Sequence, residues 1–464
     1  MLHPGHLRLF RFAKDCGERL IVAVQSDRVA GDGAHVLEHL RLESVKSINW
    51  VDEAFIYDEP LEDVLLRVRP DVIVKGKEHE HLPNMEALAV EQYGGSLVFS
   101  SGETIFSSLD LIQKEFLARD VRPIHSPVDY LTRHRIASKS LKNLLEKFSN
   151  LKICVVGDLI VDEYITCEPL GMSQEDPTIV VTPIDSTKFI GGAGIVAAHA
   201  AGLGAKVRLI SVSGADVIRE FALTTLLNAR VDAKLLLDDS RPTTLKQRFR
   251  SKGKSLLRVS HLHQGAIANK LQQQLFASVE QIIDEIDVLV FSDFNYGCLP
   301  QPLIDKLIIL AKSRGILLVA DSQSSSQVGD ISRFKDMDLI TPTEREARIS
   351  TRNREDGLVV LAEMLRQQAA ARNVLLKLGD EGLLIHAEGR GDQRWLTDRI
   401  GALNSAPKDV SGAGDSLLIV SAMALACDAS IWEAAYLGSL AAAIQVGRVG
   451  NTPLQVAELL SELN

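Results

Sequence analysis

The sequence predicts an α/β protein built from two doubly wound parallel-sheet domains. Short runs of β-branched and apolar residues, among them Leu20–Val24, Asp71–Val74, Ile153–Val156, Val288–Phe291 and Ile316–Ala320, alternate with helix-length segments. These runs tend to end in Asp, Ser, Gly or Lys, the polar exits that mark the ligand edge of a parallel sheet. At 464 residues the chain exceeds one domain, and the alternation loosens once, between Ala118 and Lys152.

Composition excludes several classes. Charged residues make up 24% and hydrophobic ones 46%, an ordinary globular balance. A formal charge of −10 argues against a nucleic-acid partner. Five scattered cysteines without a C-x-x-C pair suit a reducing compartment and oppose a zinc site. Arg8, Arg11 and Lys14 interrupt any secretory signal, and the longest uncharged run, Phe189 to Ala205, holds five glycines and falls short of a membrane span. A soluble cytoplasmic protein, with no membrane partner, is expected.

The first domain is expected over residues 1–118. His3-Pro4-Gly5-His6 feeds a helix over Leu7–Glu18, whose Leu9, Phe12, Ala13 and Cys16 share one face. Two imidazoles beside a helix N-terminus could grip a triphosphate, or could be solvated side chains at a frayed start. The strand Leu20–Val24 exits at Ser26. A helix over Val36–Ile48, a strand at Phe55–Tyr57 and a helix over Leu61–Arg67 follow. The strand Asp71–Val74 runs into Lys75-Gly76, Ser96–Phe99 is a further strand, and Ser107-Ser108 precedes a helical run.

Residues 119–150 read as a linker with a connecting helix, and 151–464 as the second domain. Strands there are Ile153–Val156, Val207–Ser213, Val288–Asp293, Ile316–Asp321, Leu339–Thr341 and Val374–Lys377. Segments 165–190 and 243–260 alternate like short antiparallel strands and could form a flap or a dimer contact. Asp409-Val-Ser-Gly-Ala-Gly-Asp-Ser416 then opens an apolar helix. Its Gly-rich turn could be an anion hole with an acid at its mouth, or an ordinary helix entry with a stabilising Asp.

Two resemblances bear on these alternatives. His3-Pro-Gly-His6, Val22–Asp27, Arg69–Gly76 and Ser107-Ser108 resemble nucleotidyltransferases of the cytidylyltransferase type, above all the adenylyltransferase half of bifunctional ADP-heptose synthases. The resemblance implies that His3 and His6 act at the α-phosphate, and that Ser26, Arg41, Lys75, Gly76, Ser107 and Ser108 serve the nucleotide. The family's first strand with its Gly-x-Phe-Asp is absent ahead of His3, and Ala30-Gly31 stands where a Lys-Gly is common.

Residues 151 to 456 resemble ribokinase-like sugar kinases, and within them the heptose 7-phosphate kinase half of the same synthases. Gly157-Asp158, Asp162, Gly191-Gly192, Lys246-Gln-Arg248, Ser292-Asp293, Thr341–Glu346, Lys377-x-Gly379-x-x-Gly382 and Asp409–Asp415 occur in family order. The resemblance implies Asp415 as catalytic base and an anion hole of Gly412, Ala413 and Gly414. Thr343, Lys377, Gly379 and Gly382 would serve the nucleotide, with Glu346 on the Mg²⁺ side through water. Asp158, Asp162, Gly191, Gly192, Lys246 and Arg248 would face a sugar phosphate, with Lys246 and Arg248 equally readable as exposed strand cations. It also implies a homodimer through the kinase domain. Ile195, Asp321-Ser-Gln323 and Thr343 depart from the family pattern on the sugar and metal sides.

The expected activity is ATP-dependent phosphorylation of heptose 7-phosphate at C1 and transfer of AMP to the heptose 1-phosphate. Alternatives are a kinase for another sugar with an inactive transferase half, and a non-catalytic regulator. The transferase-first domain order reverses that of the best-known members.

Overall fold

The computed structural model describes residues 4–31, 36–76, 84–100, 123–251, 254–324, 329–389 and 395–463. The chain divides into two compact units, Met1–Val121 and Arg122–Asn464.

In the first unit the helix Pro4–Asp15 begins three residues earlier than the periodicity suggests, because proline's fixed φ suits a first helical turn. His6 therefore lies within that turn rather than before it. Four strands follow, β1 (Ile21–Gln25), β2 (Glu53–Tyr57), β3 (Val72–Gly76) and β4 (Ser96–Ser100). Among the described residues they pair as two parallel ladders, β1 with β2 and β3 with β4. Phe10, not Phe12, is the buried aromatic of the first helix, packed with Leu20, Val24, Val45 and Ala54. His3, Ser107 and Ser108 lie outside the described residues.

The second unit contains β5 (Lys152–Gly157), β6 (Leu159–Met172), β7 (Ile179–Gly192), β8 (Lys206–Ser213), β9 (Asp232–Leu237), β10 (Thr244–Ser251) and β11 (Lys254–His261). These are followed by β12 (Val288–Asp293), β13 (Leu317–Ser322), β14 (Leu339–Ile340), β15 (Asn373–Lys377), β16 (Leu383–Glu388) and β17 (Trp395–Ile400). The main sheet has nine strands in the order β17-β16-β15-β14-β13-β12-β5-β8-β9, parallel from β9 to β15 and antiparallel at β16 and β17.

Period-two alternation explains its two covered faces. Ile153 and Val155 of β5, with Val288 and Val290 of β12, point into one apolar cluster. Cys154, Val156, Leu289 and Phe291 point into the other. The first cluster takes the helices Ala193–Gly202, Ala413–Ala426 and Ile431–Val446, and the second takes Asn269–Glu280, Gln301–Ser313 and Leu358–Ala369. Helices Val128–Arg133 and Ser138–Lys147, within the segment expected to be a linker, bury Tyr130, Leu141, Leu144 and Leu145 in the first cluster. Tyr130 Oη also donates to the Trp432 carbonyl at 2.9 Å.

The flap is a separate four-stranded sheet, β11-β10-β6-β7. Its hairpins are antiparallel as expected, but β6 and β7 run 14 residues each and β10 joins β6 in parallel. The parallel join follows from connectivity, since the chain returns through the main sheet between them. All five cysteines are free thiols. Among the described residues no helix is long and apolar enough to cross a membrane.

Candidate active site

The carboxyl ends of β5, β12, β13 and β15 deliver Asp158, Asp293, Asp321 and Lys377 to one edge of the main sheet. The helix Ala413–Ala426 starts at the same edge. Its N-cap, Gly412, has φ +76°, a left-handed conformation, and a Cβ there would collide with Asn451 Oδ1. Glycine is thus required twice over; Ala413 N donates to the Val410 carbonyl at 3.4 Å, and the helix N-terminus beyond it favours negative charge.

Asp415, in the first turn, is buried at 6% exposure. Burial, then the nearby Asp321 carboxylate, pushes its pKa up to about 7. Gln323 Nε2 donates to Asp415 Oδ1 at 3.0 Å. Lys377 Nζ bridges both Asp321 oxygens at 3.1 and 3.0 Å and lies 3.1 Å from where a Cβ on Gly414 would sit. Burial opposes the ammonium charge, but Asp321 and Glu346 hold the Lys377 pKa above its usual value. The buried ammonium therefore stays charged beside the glycine turn, as a phosphate ligand should.

Gly379 and Gly382 close the turn from β15 to β16, with Gly382 N donating to the Gly379 carbonyl at 3.2 Å. Beside this turn a cleft of about 830 Å³ is lined by Thr343, Arg345, Arg348, Lys377 and Gly379. Its size and positive rim suit a nucleotide. Thr343 and Glu346 form a capping box on the helix Glu344–Thr351. Glu346 Oε2 accepts from Thr343 N at 2.7 Å and Oε1 from Ser324 N at 2.8 Å. Both oxygens of Glu346 thus already hold backbone N–H groups. Among the described residues no group of three or more His, Cys, Asp or Glu is placed to hold a metal.

The sugar side divides the expected residues. Asp158 turns inward: its carboxylate accepts from Phe294 N (2.8 Å), Tyr296 N (3.2 Å) and Cys298 N (3.2 Å), so it pins that loop rather than meeting a sugar. Asp162 is buried, with Oδ2 2.6 Å from where a Cβ on Gly191 would lie. Gly191 and Gly192 end β7 opposite Ile160 and Leu159. Ile195 is wholly buried in the first apolar cluster, so the position expected to choose the sugar is a core position here.

On β10, Lys246 and Arg248 point to the same face. Lys246 Nζ lies 5.1 Å from the Phe294 and Tyr296 ring centroids. Arg248 donates to Ser411 Oγ at 2.8 Å and lies 3.5 Å from Asp162. Neither is a free surface cation.

Three residues were missed from sequence. Tyr164 of β6 donates to Asp409 at 2.8 Å and lies under Arg248 and Arg250, at 5.2 and 4.9 Å. Asp409 also accepts from Ser411 N and Gly450 N, at 3.0 and 3.1 Å. Asn451 is buried between Gly412 and Gly191, its Oδ1 without a hydrogen bond among the described residues. No local motif marks Tyr164 or Asn451. Asp321 could have been read from its Asp-Ser-Gln exit.

In the first unit Ser26 caps a short turn, accepting from Val29 N at 3.2 Å and pairing with Asp58. Arg41 pairs with Asp27 at 2.5 Å, and Lys75 reaches Glu86 at 2.9 Å. Gly76 ends β3, and His6 stacks obliquely on Phe10 with ring centroids 6.5 Å apart.

A buried acid at a glycine-capped helix, facing a cationic flap across a parallel-sheet edge, defines a phosphotransferase of the carbohydrate-kinase class. The chain belongs to the pfkB family of carbohydrate kinases, whose family model matches residues 150–456. A cytidylyltransferase-like family model matches residues 1–90. The protein is 31% identical over 320 residues to a relative from Desulfatibacillum aliphaticivorans named bifunctional protein HldE, covering 68% of this chain and 64% of that one. A protein of the same name from Paramagnetospirillum magneticum is 28% identical over 330 residues, covering 70% and 66%. The chain thus spans about two thirds of the length of these relatives. Among solved structures, phosphofructokinase-2 from Escherichia coli in complex with substrates and products shares the fold at a TM-score of 0.56 and 17% identity, over 68% of this chain and 98% of that one. Ribokinase from Thermotoga maritima does so at 0.53 and 20%, over 68% and 99%.

Proposed function

We propose that the second unit phosphorylates a sugar phosphate from ATP, with heptose 7-phosphate as acceptor and its C1 hydroxyl as nucleophile. The observation that carries this reading is Asp415, buried at the mouth of the Gly412–Gly414 turn, with the Lys246 charge reaching it and Arg248 bonded to Ser411 of the same loop. Asp415 takes the hydroxyl proton as the oxygen bonds to the γ-phosphorus. The bond from that phosphorus to the β–γ bridging oxygen breaks, and ADP leaves. The N–H groups of the turn and Lys377 receive the charge on the transferred group. The two flap cations suit the acceptor's existing phosphate, which separates a phosphorylated sugar from a free one.

Mg²⁺ would lie on the Glu346 side, held through water and the substrate's phosphates, and would neutralise phosphate charge. We also assign to the first unit the transfer of AMP to the sugar 1-phosphate with release of pyrophosphate, around His3, His6, Ser26, Lys75, Ser107 and Ser108. A cytoplasmic homodimer is proposed through the flap, whose Leu170, Met172, Ile179, Ile184 and Leu257 are exposed.

A second reading keeps the kinase and drops the transferase. Ala30-Gly31, standing where the resembled transferases commonly have Lys-Gly, favours it. The test is a paired assay with ATP, scoring ADP formed on heptose 7-phosphate and pyrophosphate formed on heptose 1-phosphate. ADP without pyrophosphate would select the second reading, and neither product would reject both.

A further inference from the structure

We infer that Gln323 is a positioning residue for Asp415: its side-chain amide holds one carboxylate oxygen and leaves the other for the attacking hydroxyl. This rests on the reading of Asp415 as the kinase base.

The amide is delivered by a fixed backbone. Gln323 directly follows β13, its N–H donates to the Asp293 carbonyl at 2.8 Å, and its carbonyl accepts from Asn295 Nδ2 at 3.2 Å. From there Nε2 lies 3.0 Å from Asp415 Oδ1 and 3.5 Å from Asp321 Oδ2. An amide nitrogen carries two protons, so it faces both acids at once. Asp321 is meanwhile tied to Lys377 at 3.0 Å.

The charges that reach Asp415 come from four strands: Asp321 on β13, Lys377 on β15, Asp162 on β6 and Lys246 on β10. Two are negative and two positive, so a neutral donor at 323 fixes the base without tipping that balance. A cation in its place would neutralise the acid, and an apolar residue would release it. With the acid's pKa pushed up to about 7 by burial and Asp321, the base titrates where a general base works best, near neutral pH.

Kinase pH profiles of the full chain and of Gln323→Leu and Gln323→Lys, with thermal melts to confirm folding, test this. Gln323→Leu should lower kcat about 10- to 100-fold, move the acid limb to higher pH and leave the KM for ATP within about twofold. Gln323→Lys should move the acid limb about one unit lower. A carbon-13 titration of aspartate carboxyls, with the Asp415 signal assigned through Asp415→Asn, reads the same contact without turnover. If wild type phosphorylates no sugar but the Asp415 midpoint still follows residue 323, the contact stands and the kinase reading falls. An unmoved midpoint and limb in both variants overturns the inference. So does a raised sugar KM with unchanged kcat, which would make Gln323 a sugar contact.

Discussion

Asp415 combines two costs that only a function explains: it is buried, and it sits near other acids. Its pKa, raised from 3.8 to about 7, means that the folded chain keeps a proton that the unfolded chain has released. That contribution to stability is complete below about pH 4 and is lost as pH rises through about 7. Asp415→Asn, which cannot ionise, should therefore melt later than wild type above pH 7, by a difference on the order of a few kcal/mol. Its kcat should fall about 10²- to 10⁴-fold while ATP binding persists. Calorimetry and steady-state rates on one preparation check both signs. Arg248→Ala should raise the KM for the phosphorylated acceptor about 10- to 100-fold, as loss of a charge-assisted bond would, with the ATP KM little changed. The place of Asp415 at a glycine-capped helix start was legible because its glycines are sequence neighbours. Tyr164 and Asn451 were not, because they meet the loop only through pairings 245 and 39 or more positions away.

At the scale of elements, the flap is hydrogen-bonded to the loop Asp409–Gly412. β6 carries Tyr164 to Asp409, and β10 carries Arg248 to Ser411, so flap strands touch the loop that shapes Gly412. Tyr164→Phe should cost about 1 kcal/mol of stability and lower kcat more than it raises either KM. Gly412→Ala meets both a left-handed φ and Asn451, and should lower Tm by several degrees and abolish transfer. The helices and parallel strands were readable from period alone, since each buries one stripe or both faces. The parallel join of β10 to β6 was not, because register between distant strands leaves no local trace. Asp158 misled for a related reason. An acid at a strand end can serve a ligand or its own loop, and only the loop's N–H groups decide.

The whole molecule is two units, and among the described residues the second has a continuous nine-stranded sheet with both faces covered. Residues 119–150 read as a linker with a connecting helix because Pro123, Ser126-Pro127 and the basic cluster 133–135 interrupt the alternation, yet the helices there bury Tyr130, Leu141, Leu144 and Leu145 in the core of the second unit. If the transferase reading holds, His6→Ala should abolish pyrophosphate release and leave ADP formation within about twofold, since the units act on different substrates. The central claim is phosphoryl transfer to a phosphorylated sugar by Asp415, and phosphorus NMR of ATP with heptose 7-phosphate tests it most directly. ADP should grow with a new sugar C1 phosphate signal split by the anomeric proton, at a rate that collapses in Asp415→Asn. ATP consumption without that signal, or an equal rate in the variant, would contradict the account.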